Sequence, residues 1–312
     1  MGRYAAASGD RQFWIIMRYT LRFGAFFGIP VRIHLTFPLI LVAFGIEGWL
    51  RGGWTEALWA VGLVVAVFTC VVLHELGHSL QVRRYGIDVR DIVLLPIGGM
   101  ARAEKIPEKP RQEIIVAISG PLVNFVLAAL LGLVVWLRPG PVDLENDFVI
   151  NLLAVNIVLG TFNLIPAFPM DGGRILRGLL ATRMDYLRAT RYARNVGQLI
   201  AIAFVVIGFI NTKFFMLPLI AVFVFFGAMN EEKMVRVKLN LDGKRAEDFV
   251  SVNASDIEDE RLRGLPLVQA DTPATQLYYF LRRHKLKAAA IANPDGHLIG
   301  LVRADDLAAR IG

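Results

Sequence analysis

The chain has 312 residues, of which 55% are hydrophobic, and its mean hydropathy is +0.51. This apolar share exceeds that of ordinary soluble domains and indicates a membrane protein. The net charge of +7 does not indicate nucleic-acid binding, because the basic residues lie between apolar runs, where they orient membrane spans. The single cysteine, Cys70, excludes an intramolecular disulfide.

Six apolar segments follow one another along residues 1–230. We therefore expect a polytopic α-helical membrane domain with about six transmembrane helices. The predicted spans cover residues 35–50, 55–82, 113–137, 148–165, 196–210 and 214–229.

Two short segments outside these spans are typical of strands. Residues 29–36 alternate β-branched and polar side chains and lead into the first span. Residues 89–102 are too apolar for an ordinary loop, and we expect a strand, a turn at Gly98–Gly99 and a returning strand. This small membrane-associated hairpin should lie near the second span, since irregular backbone at membrane depth is buried in protein or lines water.

The basic residues predict how the chain is oriented in the membrane. Residues 1–33, 83–111 and the predicted loop 171–194 together hold eighteen Lys and Arg, whereas the three opposite loops hold one each. The positive-inside rule then predicts a multi-pass protein of the cell membrane with both termini in the cytoplasm.

The last part of the chain is charged and predicts a small cytosolic α/β domain over residues 251–312, after a linker and first strand in residues 231–250. Thr272 is expected to cap a helix that has Pro273 at its first position. Strands over residues 288–292 and 297–302, joined by an Asn-Pro-Asp-Gly turn, and a helix over residues 304–310 complete the unit.

The segment His74-Glu-Leu-Gly-His78 places three ionisable side chains at the end of an apolar run. Such residues are costly in a bilayer and indicate function. On a helix, His74 and His78 share one face and can bind one metal ion, with Glu75 close enough to hold a water as general base. Gly77 has no side chain, so another backbone or a substrate could approach there.

Catalytic zinc usually has three protein ligands and one open position. The remaining histidines, His34, His284 and His297, are candidates for the third ligand, as is an acid at membrane depth. We favour Asp171, because it follows a proline-rich end of an apolar span, precedes a predicted Gly172–Gly173 turn and falls on the same predicted side as the motif.

These motifs resemble the site-2 protease family of intramembrane zinc proteases over about residues 25–230. The likeness is carried by the HExxH motif at His74 and by Asn163-Leu-Ile-Pro-Ala-Phe-Pro-Met-Asp171-Gly-Gly. Ser119-Gly-Pro-Leu-Val-Asn124 and Leu95-Pro-Ile-Gly-Gly99 also match motifs of this family.

The resemblance implies one Zn²⁺ per chain, bound by His74, His78 and Asp171, with Glu75 activating the water. It also implies that Asn163 holds the scissile carbonyl or its oxyanion. The implied substrate contacts are Gly98, Gly99 and Asn124, and the alternative for Asn124 is an interhelical hydrogen bond within the membrane.

The implied reaction is cleavage within or near the transmembrane segment of a membrane protein, as in regulated intramembrane proteolysis. An anti-sigma factor or a pro-protein is the expected type of substrate, in a bacterial inner or plasma membrane, with membrane lipid as the surrounding partner and no nucleic acid.

The tail resembles a CBS-type (cystathionine-β-synthase-type) regulatory domain through Gly300-Leu-Val-Arg-Ala-Asp-Asp306-Leu, with Arg303 where the motif has Thr. This likeness implies an adenine nucleotide at Asp306. CBS-type domains usually occur in pairs, but this sequence holds one such motif. A homodimer contact or a substrate-docking role is therefore at least as well supported as nucleotide binding.

Two other classes of function stay open at this point. One is a transporter or channel gated by the cytosolic domain, and the other is a catalytically inactive relative that binds membrane segments. The convergence of the charged residues on one site argues against the first, and the intact Glu75 argues against the second.

Overall fold

The structure is a computed structural model, and it describes residues 20–95, 98–103, 109–139, 143, 147–211, 214–256 and 265–311. These residues divide into two compact units, the first ending at Glu231 and the second beginning at Glu232.

The first unit combines a four-stranded sheet with six helices, the last of which ends beyond Glu231. The strands are β1 (Thr20–Phe26), β2 (Ile29–His34), β3 (Val89–Leu95) and β4 (Gly98–Ala103). The helices are α1 (Phe37–Arg84), α2 (Pro110–Leu137), α3 (Phe148–Asn163), α4 (Asp171–Ala181), α5 (Tyr186–Ile210) and α6 (Leu217–Leu241).

The strands lie in the order β1-β2-β3-β4, with β2 and β3 parallel and the two outer pairs antiparallel. The alternating side chains of β2 and β3 put Ile29 and Ile92 into a buried cluster with Val72 and Leu76 of α1. The sheet therefore packs against the turn of α1 that carries His74. This agrees with the prediction that the hairpin lies near the second span.

The turn of the predicted hairpin is placed differently from our expectation. Gly98 and Gly99 do not form it, because they begin β4 and pair with Leu95 and Leu94. The connection falls on residues 96–97, which lie outside the described residues.

Helix α1 consists of two helical segments with a break at Gly52–Gly53, where Gly53 has a φ of +72°. Only glycine adopts this left-handed conformation without strain. The segments fold back on each other closely, since a Cβ on Gly48 would lie 2.6 Å from the carbonyl oxygen of Glu56. This break falls between residues 50 and 55, where the sequence predicted that one apolar segment ends and the next begins.

Within the described ranges, α1, α2 and α5 are long and apolar enough to cross a membrane, and α3 is a shorter apolar helix of 16 residues. Trp49 and Trp54 beside the break, and Trp136 at the end of α2, are exposed, as is typical of side chains at a membrane interface. The helical rise puts His74 about 30 Å from Trp54, which is about the thickness of the hydrocarbon core. The histidines therefore lie near the end of this helical segment that is far from Trp54.

The segment that precedes Asp171 is held between α5 and α6. Small residues at every fourth position of α5 let it approach closely: a Cβ on Gly197 would lie 3.3 Å from Ala167. On α6, a Cβ on Gly227 would lie 2.7 Å from Pro169. The full stripe on α5 is Ala189, Ala193, Gly197 and Ala201.

Residues 171–194 were predicted to be a basic loop with a turn at Gly172–Gly173, and both expectations were wrong. Gly172 and Gly173 lie in the first turn of α4, and the basic residues continue on α4 and the start of α5. A Cβ on Gly172 would overlap the carbonyl oxygen of Ile165. These glycines therefore let α4 pack against the chain that leads into it.

Arg177 of α4 is fully buried in what we call the Arg177 cluster. Its Nε donates to Glu113 Oε1 of α2 (2.7 Å), and its Nη1 donates to Glu231 Oε1 of α6 (2.9 Å). The guanidinium lies 5.0 Å from the ring centroids of Phe168 and Tyr186. Burial acts to lower the pKa of Arg177, but the attraction of Glu113, Tyr186 and Glu231 outweighs it and raises the pKa.

The second unit holds the end of α6 and a sheet in the order β5-β8-β7-β6. The predicted linker and first strand were wrong, because α6 continues to Leu241 and a 3-10 helix follows at Ala246–Phe249. The remaining elements are β5 (Val252–Asn253), a 3-10 helix (Ala254–Asp256), β6 (Leu267–Gln269), α7 (Ala274–Arg283), β7 (Ala288–Ala292), β8 (Leu298–Arg303) and α8 (Ala304–Ala309).

The predicted series of helix, strand, turn, strand and helix is confirmed by α7, β7, β8 and α8. The N-cap of α7 is Pro273 rather than the expected Thr272. Leu277 and Ile291 form the core of this unit together with Val237 and Leu241 from the end of α6.

We predict that Arg177→Met destabilises the protein by about 3–5 kcal/mol, because it leaves two buried carboxylates without their cation. The free energy of unfolding can be measured in mixed micelles. Arg188→Met is the control, since Arg188 pairs with Asp185 at an exposed position and should cost about 1 kcal/mol or less. Equal losses in the two variants would contradict the structural role of the Arg177 cluster.

Candidate metal centre

His74 and His78 lie one helical turn apart on α1 and direct their ring nitrogens toward the same point. Their Nε2 atoms are 3.1 Å apart, and both side chains are largely buried. Asp171, the first residue of α4, places Oδ2 3.3 Å from His74 Nε2 and 3.1 Å from His78 Nε2. The structure thus brings together the three residues predicted to bind metal.

The hydrogen bonds of the two Nδ1 atoms determine which ring nitrogen of each histidine carries the proton. His74 Nδ1 lies 2.6 Å from Asn124 Oδ1, and His78 Nδ1 lies 2.7 Å from the carbonyl oxygen of Val116. Both acceptors require a proton on Nδ1, so Nε2 carries a lone pair in each neutral imidazole. Two lone pairs and a carboxylate oxygen therefore face one another, and this arrangement suits a metal cation bound among them.

The donor set fits zinc. Two imidazole nitrogens and one carboxylate oxygen form a known catalytic ligand set that leaves a fourth position open. Zinc binds such ligands at about 2.0–2.2 Å, so tetrahedral geometry separates pairs of ligand atoms by about 3.3 Å. The three separations in the structure, 3.1, 3.1 and 3.3 Å, agree with this value.

Two glycines bring α2 close to this cluster. A Cβ on Gly77 would lie 2.7 Å from the carbonyl oxygen of Ser119, which confirms the predicted close approach of another backbone. A Cβ on Gly120 would overlap His78 Nε2 and lie 2.7 Å from His74 Nε2. Gly120 therefore leaves the space that a metal ion occupies.

Sequence reasoning missed the role of Gly120. Its segment, Ser119-Gly-Pro121, was singled out only because it matches a motif of the family. A Gly-Pro pair facing an HExxH helix is the signal that could have indicated it, although the sequence does not give the rotation of α2.

Glu75 lies beside the cluster and under the start of β4. A Cβ on Gly99 would lie 2.8 Å from Glu75 Cγ and 3.0 Å from Val71 Cγ1. Gly99, one of the predicted substrate contacts, thus brings the strand directly against the predicted general base. Gly98, the other, pairs with Leu95 in the same strand pair, one residue farther from this contact.

Asn124 makes the interhelical hydrogen bonds that were the alternative to a substrate contact. Its side chain is fully buried, its oxygen faces His74, and its nitrogen donates to Asn156 Oδ1 (3.0 Å). Both amide groups are used inside the protein, so Asn124 supports a metal ligand instead of holding substrate.

The structure does not bring the other predicted residues to the metal cluster. Asn163 is the last residue of α3, and its amide nitrogen donates to Leu159 O of the same helix (3.0 Å). His34, in β2, bonds to Thr36. Asp306 lies exposed in the first turn of α8, and its neighbour Asp305 lines a cleft with Lys233, Tyr278 and Arg282.

Comparison with known proteins agrees with this geometry. Residues 62–146 and 142–208 match peptidase family M50. A zinc metalloprotease of Methanocaldococcus jannaschii is 34% identical over 289 residues, which cover 92% of this chain and 78% of that protein. A relative from Synechocystis sp. is 31% identical over 312 residues, covering 93% of this chain and 78% of the relative.

A solved structure supports the same family assignment. The site-2 protease from Methanocaldococcus jannaschii superimposes with a TM-score of 0.51 at 38% identity, covering 69% of this chain and 95% of that one. The matched family segment contains His74, His78 and Asp171, which are the residues that converge in the structure. The chain therefore belongs to peptidase family M50 and is a zinc metalloprotease of the membrane.

Proposed function

We propose that this protein hydrolyses a peptide bond within or near the transmembrane segment of a membrane-protein substrate. The observation that carries the proposal is the convergence of His74 Nε2, His78 Nε2 and Asp171 Oδ2 among apolar helices, with Glu75 and β4 directly beside them. A proteolytic centre placed there meets substrates that lie in the membrane.

In the proposed mechanism, His74, His78 and Asp171 hold the zinc ion. The bound ion supplies a Lewis acid that makes water a nucleophile near neutral pH and stabilises negative charge on the scissile carbonyl oxygen. Glu75 accepts the proton of the attacking water and later gives it to the leaving amine. Asn163 is proposed to donate to the developing oxyanion, after its amide leaves Leu159 O.

Strand β4 is the proposed docking edge for substrate. It is the last strand of the sheet, and it pairs with β3 along one side. A transmembrane helix has its backbone groups in internal hydrogen bonds, so the scissile segment must unwind before cleavage. Strand addition beside Gly98 and Gly99 would replace those bonds and place the segment next to Glu75.

We further propose six spans with both termini in the cytoplasm of a bacterial cell. The two segments of α1, together with α2, α3, α5 and α6, would supply the spans, and the distribution of basic residues supports the orientation. The metal centre would then face the cytoplasmic side, opposite the exposed tryptophans.

For partners, we propose a single-pass protein such as an anti-sigma factor or a pro-protein, cleaved by regulated intramembrane proteolysis.

We propose a CBS-like regulatory role for the second unit, through an adenine nucleotide near Asp306 or through a homodimer. A cleft beside Asp306 is lined by the basic side chains of Lys233 and Arg282 and by the acidic side chain of Asp305. These charged groups support the nucleotide alternative.

Zinc content gives the most direct test of the metal centre. We expect about one zinc per purified chain, and we expect Asp171→Ala to lose it or bind it much more weakly, because a bound ion would keep only two protein ligands. Asp185→Ala is the matched control, since Asp185 also stands at a helix N-terminus but caps α5. Full retention of zinc in Asp171→Ala would exclude Asp171 as a ligand.

The space at Gly120 gives a test that changes no ligand. We expect Gly120→Ala to abolish zinc binding, because the added methyl group would occupy the region between the two Nε2 atoms. Gly132→Ala on the same helix should bind zinc normally, since its Cβ would lie 3.4 Å from Leu153 Cδ1, an ordinary contact. Normal zinc affinity in Gly120→Ala, measured by chelator competition, would contradict the geometry of the site.

The role of Glu75 separates catalysis from metal binding. We expect Glu75→Gln to retain zinc but to lower cleavage by about 10²–10⁴-fold, the usual contribution of a general base. Cleavage can be followed by mass spectrometry on a panel of single-pass membrane proteins. Glu56→Gln, an exposed change on the same helix, should leave the rate unchanged. Wild-type cleavage by Glu75→Gln would remove Glu75 from the mechanism.

A further inference from the structure

The two ligand histidines are oriented by acceptors of different kinds. His78 Nδ1 faces the backbone carbonyl of Val116, which can only accept, so its proton position is fixed. His74 Nδ1 faces the side-chain amide of Asn124. An amide can present either its oxygen or its NH2 group with almost the same shape, so the tautomer of His74 depends on which way Asn124 is turned.

The orientation of Asn124 is set by Asn156 on α3. Asn124 Nδ2 donates to Asn156 Oδ1 (3.0 Å), and both side chains are fully buried. Asn156 is itself fixed, because its Nδ2 donates to the carbonyl oxygen of Leu152 (2.9 Å) and lies 3.3 Å from Cys70 Sγ. If Asn156 were turned over, two acceptors would face each other inside the protein.

These contacts form one directed chain, which we call the amide relay: Leu152 O, Asn156, Asn124 and His74. Since Leu152 O must accept, Asn156 donates to it, Asn124 donates to Asn156, and His74 Nδ1–H donates to Asn124. We propose that Asn156 is a positioning residue that sets the tautomer of His74 and so keeps its Nε2 lone pair available for zinc. This inference rests on the proposed metal centre.

The reversed relay shows what Asn156 prevents. With Asn124 turned over, its NH2 group would donate to His74 Nδ1, and the imidazole proton would move to Nε2. That proton would point toward Asp171 Oδ2, 3.3 Å away, and hydrogen-bond to the carboxylate. Protein in this form would have to lose or relocate the proton before it bound zinc, so its apparent affinity for zinc would fall.

Zinc affinity measured by chelator competition on the full-length protein tests the relay. Asn156→Leu keeps the size of the side chain but neither donates nor accepts, and we expect about 10-fold weaker binding or more. Asn156→Asp should bind nearly as well as the wild type, because burial favours the neutral acid, which donates to Leu152 O and accepts from Asn124. Asn151→Leu on the same helix is the control, since Asn151 Nδ2 donates to Asp147 O, outside the relay.

A second measurement determines the tautomer of His74 directly, without metal or substrate. In metal-free protein labelled with ¹⁵N-histidine, NMR should show the wild-type His74 protonated on Nδ1. Asn156→Leu should add a population protonated on Nε2, and Asn156→Asp should not. The His74 signal is assigned by its loss in His74→Gln.

The outcomes separate this inference from the proposed function. Unchanged zinc affinity and tautomer in Asn156→Leu, or equal losses in the Leu and Asp variants, would overturn the relay. A wild-type protein that binds no zinc would instead overturn the metal centre, and the tautomer measurement would still decide whether Asn156 orients His74.

Discussion

Polar groups that are buried among apolar helices need partners inside the protein, and this requirement organises the first unit. The metal centre is the extreme case, because two imidazole lone pairs and a carboxylate oxygen meet within 3.1–3.3 Å. Each ligand is supported differently: His78 by a backbone carbonyl, His74 by an amide side chain, and Asp171 by the helix that it begins. The surrounding helices supply the acceptors that keep the imidazole protons away from the metal side.

The same requirement explains how α4 is held. A helix that carries a metal ligand must be fixed against its neighbours, yet α4 is short and less apolar than the spans. The Arg177 cluster connects it to α2 and α6 through buried ion pairs, and the small residues of α5 and α6 enclose the segment before it. Close packing therefore fixes the start of α4, and electrostatic pairing fixes its interior.

Local patterns predicted part of this structure. The strand that begins at Ile29 and the break between residues 50 and 55 follow from side-chain alternation and from the limits of two apolar segments, and both occur as expected. The convergence of His74, His78 and Asp171 was also expected, because helical spacing and membrane depth restrict the choice of ligands. Residues 171–194 were mistaken for a loop, since arginines in a basic stretch give no local sign that one of them is buried.

Three further features, at Gly120, Asn124 and the Gly98–Gly99 pair, were not decided by the sequence, and they share one physical reason. The roles of Gly120 and Asn124 depend on how α2 is rotated toward α1, and this rotation is a tertiary property that periodicity does not encode. Gly98–Gly99 was placed in a turn because paired glycines usually mark turns, whereas here they let a strand lie against Glu75. In each case a glycine or an amide makes possible a close contact between elements that are far apart in the sequence.

The ligands come from two separate elements, and this has a consequence for the mechanics of the chain. Two belong to one helix and the third lies about a hundred residues later, so a bound ion closes a long covalent loop much as a disulfide does. In a soluble chain, closing a loop of that length is worth about 4–5 kcal/mol of chain entropy. Membrane insertion already restricts the unfolded chain, so the gain here is smaller. Loss of the ion would therefore remove one link between α1 and α4, and metal occupancy would contribute to the rigidity of the membrane unit as well as to its chemistry.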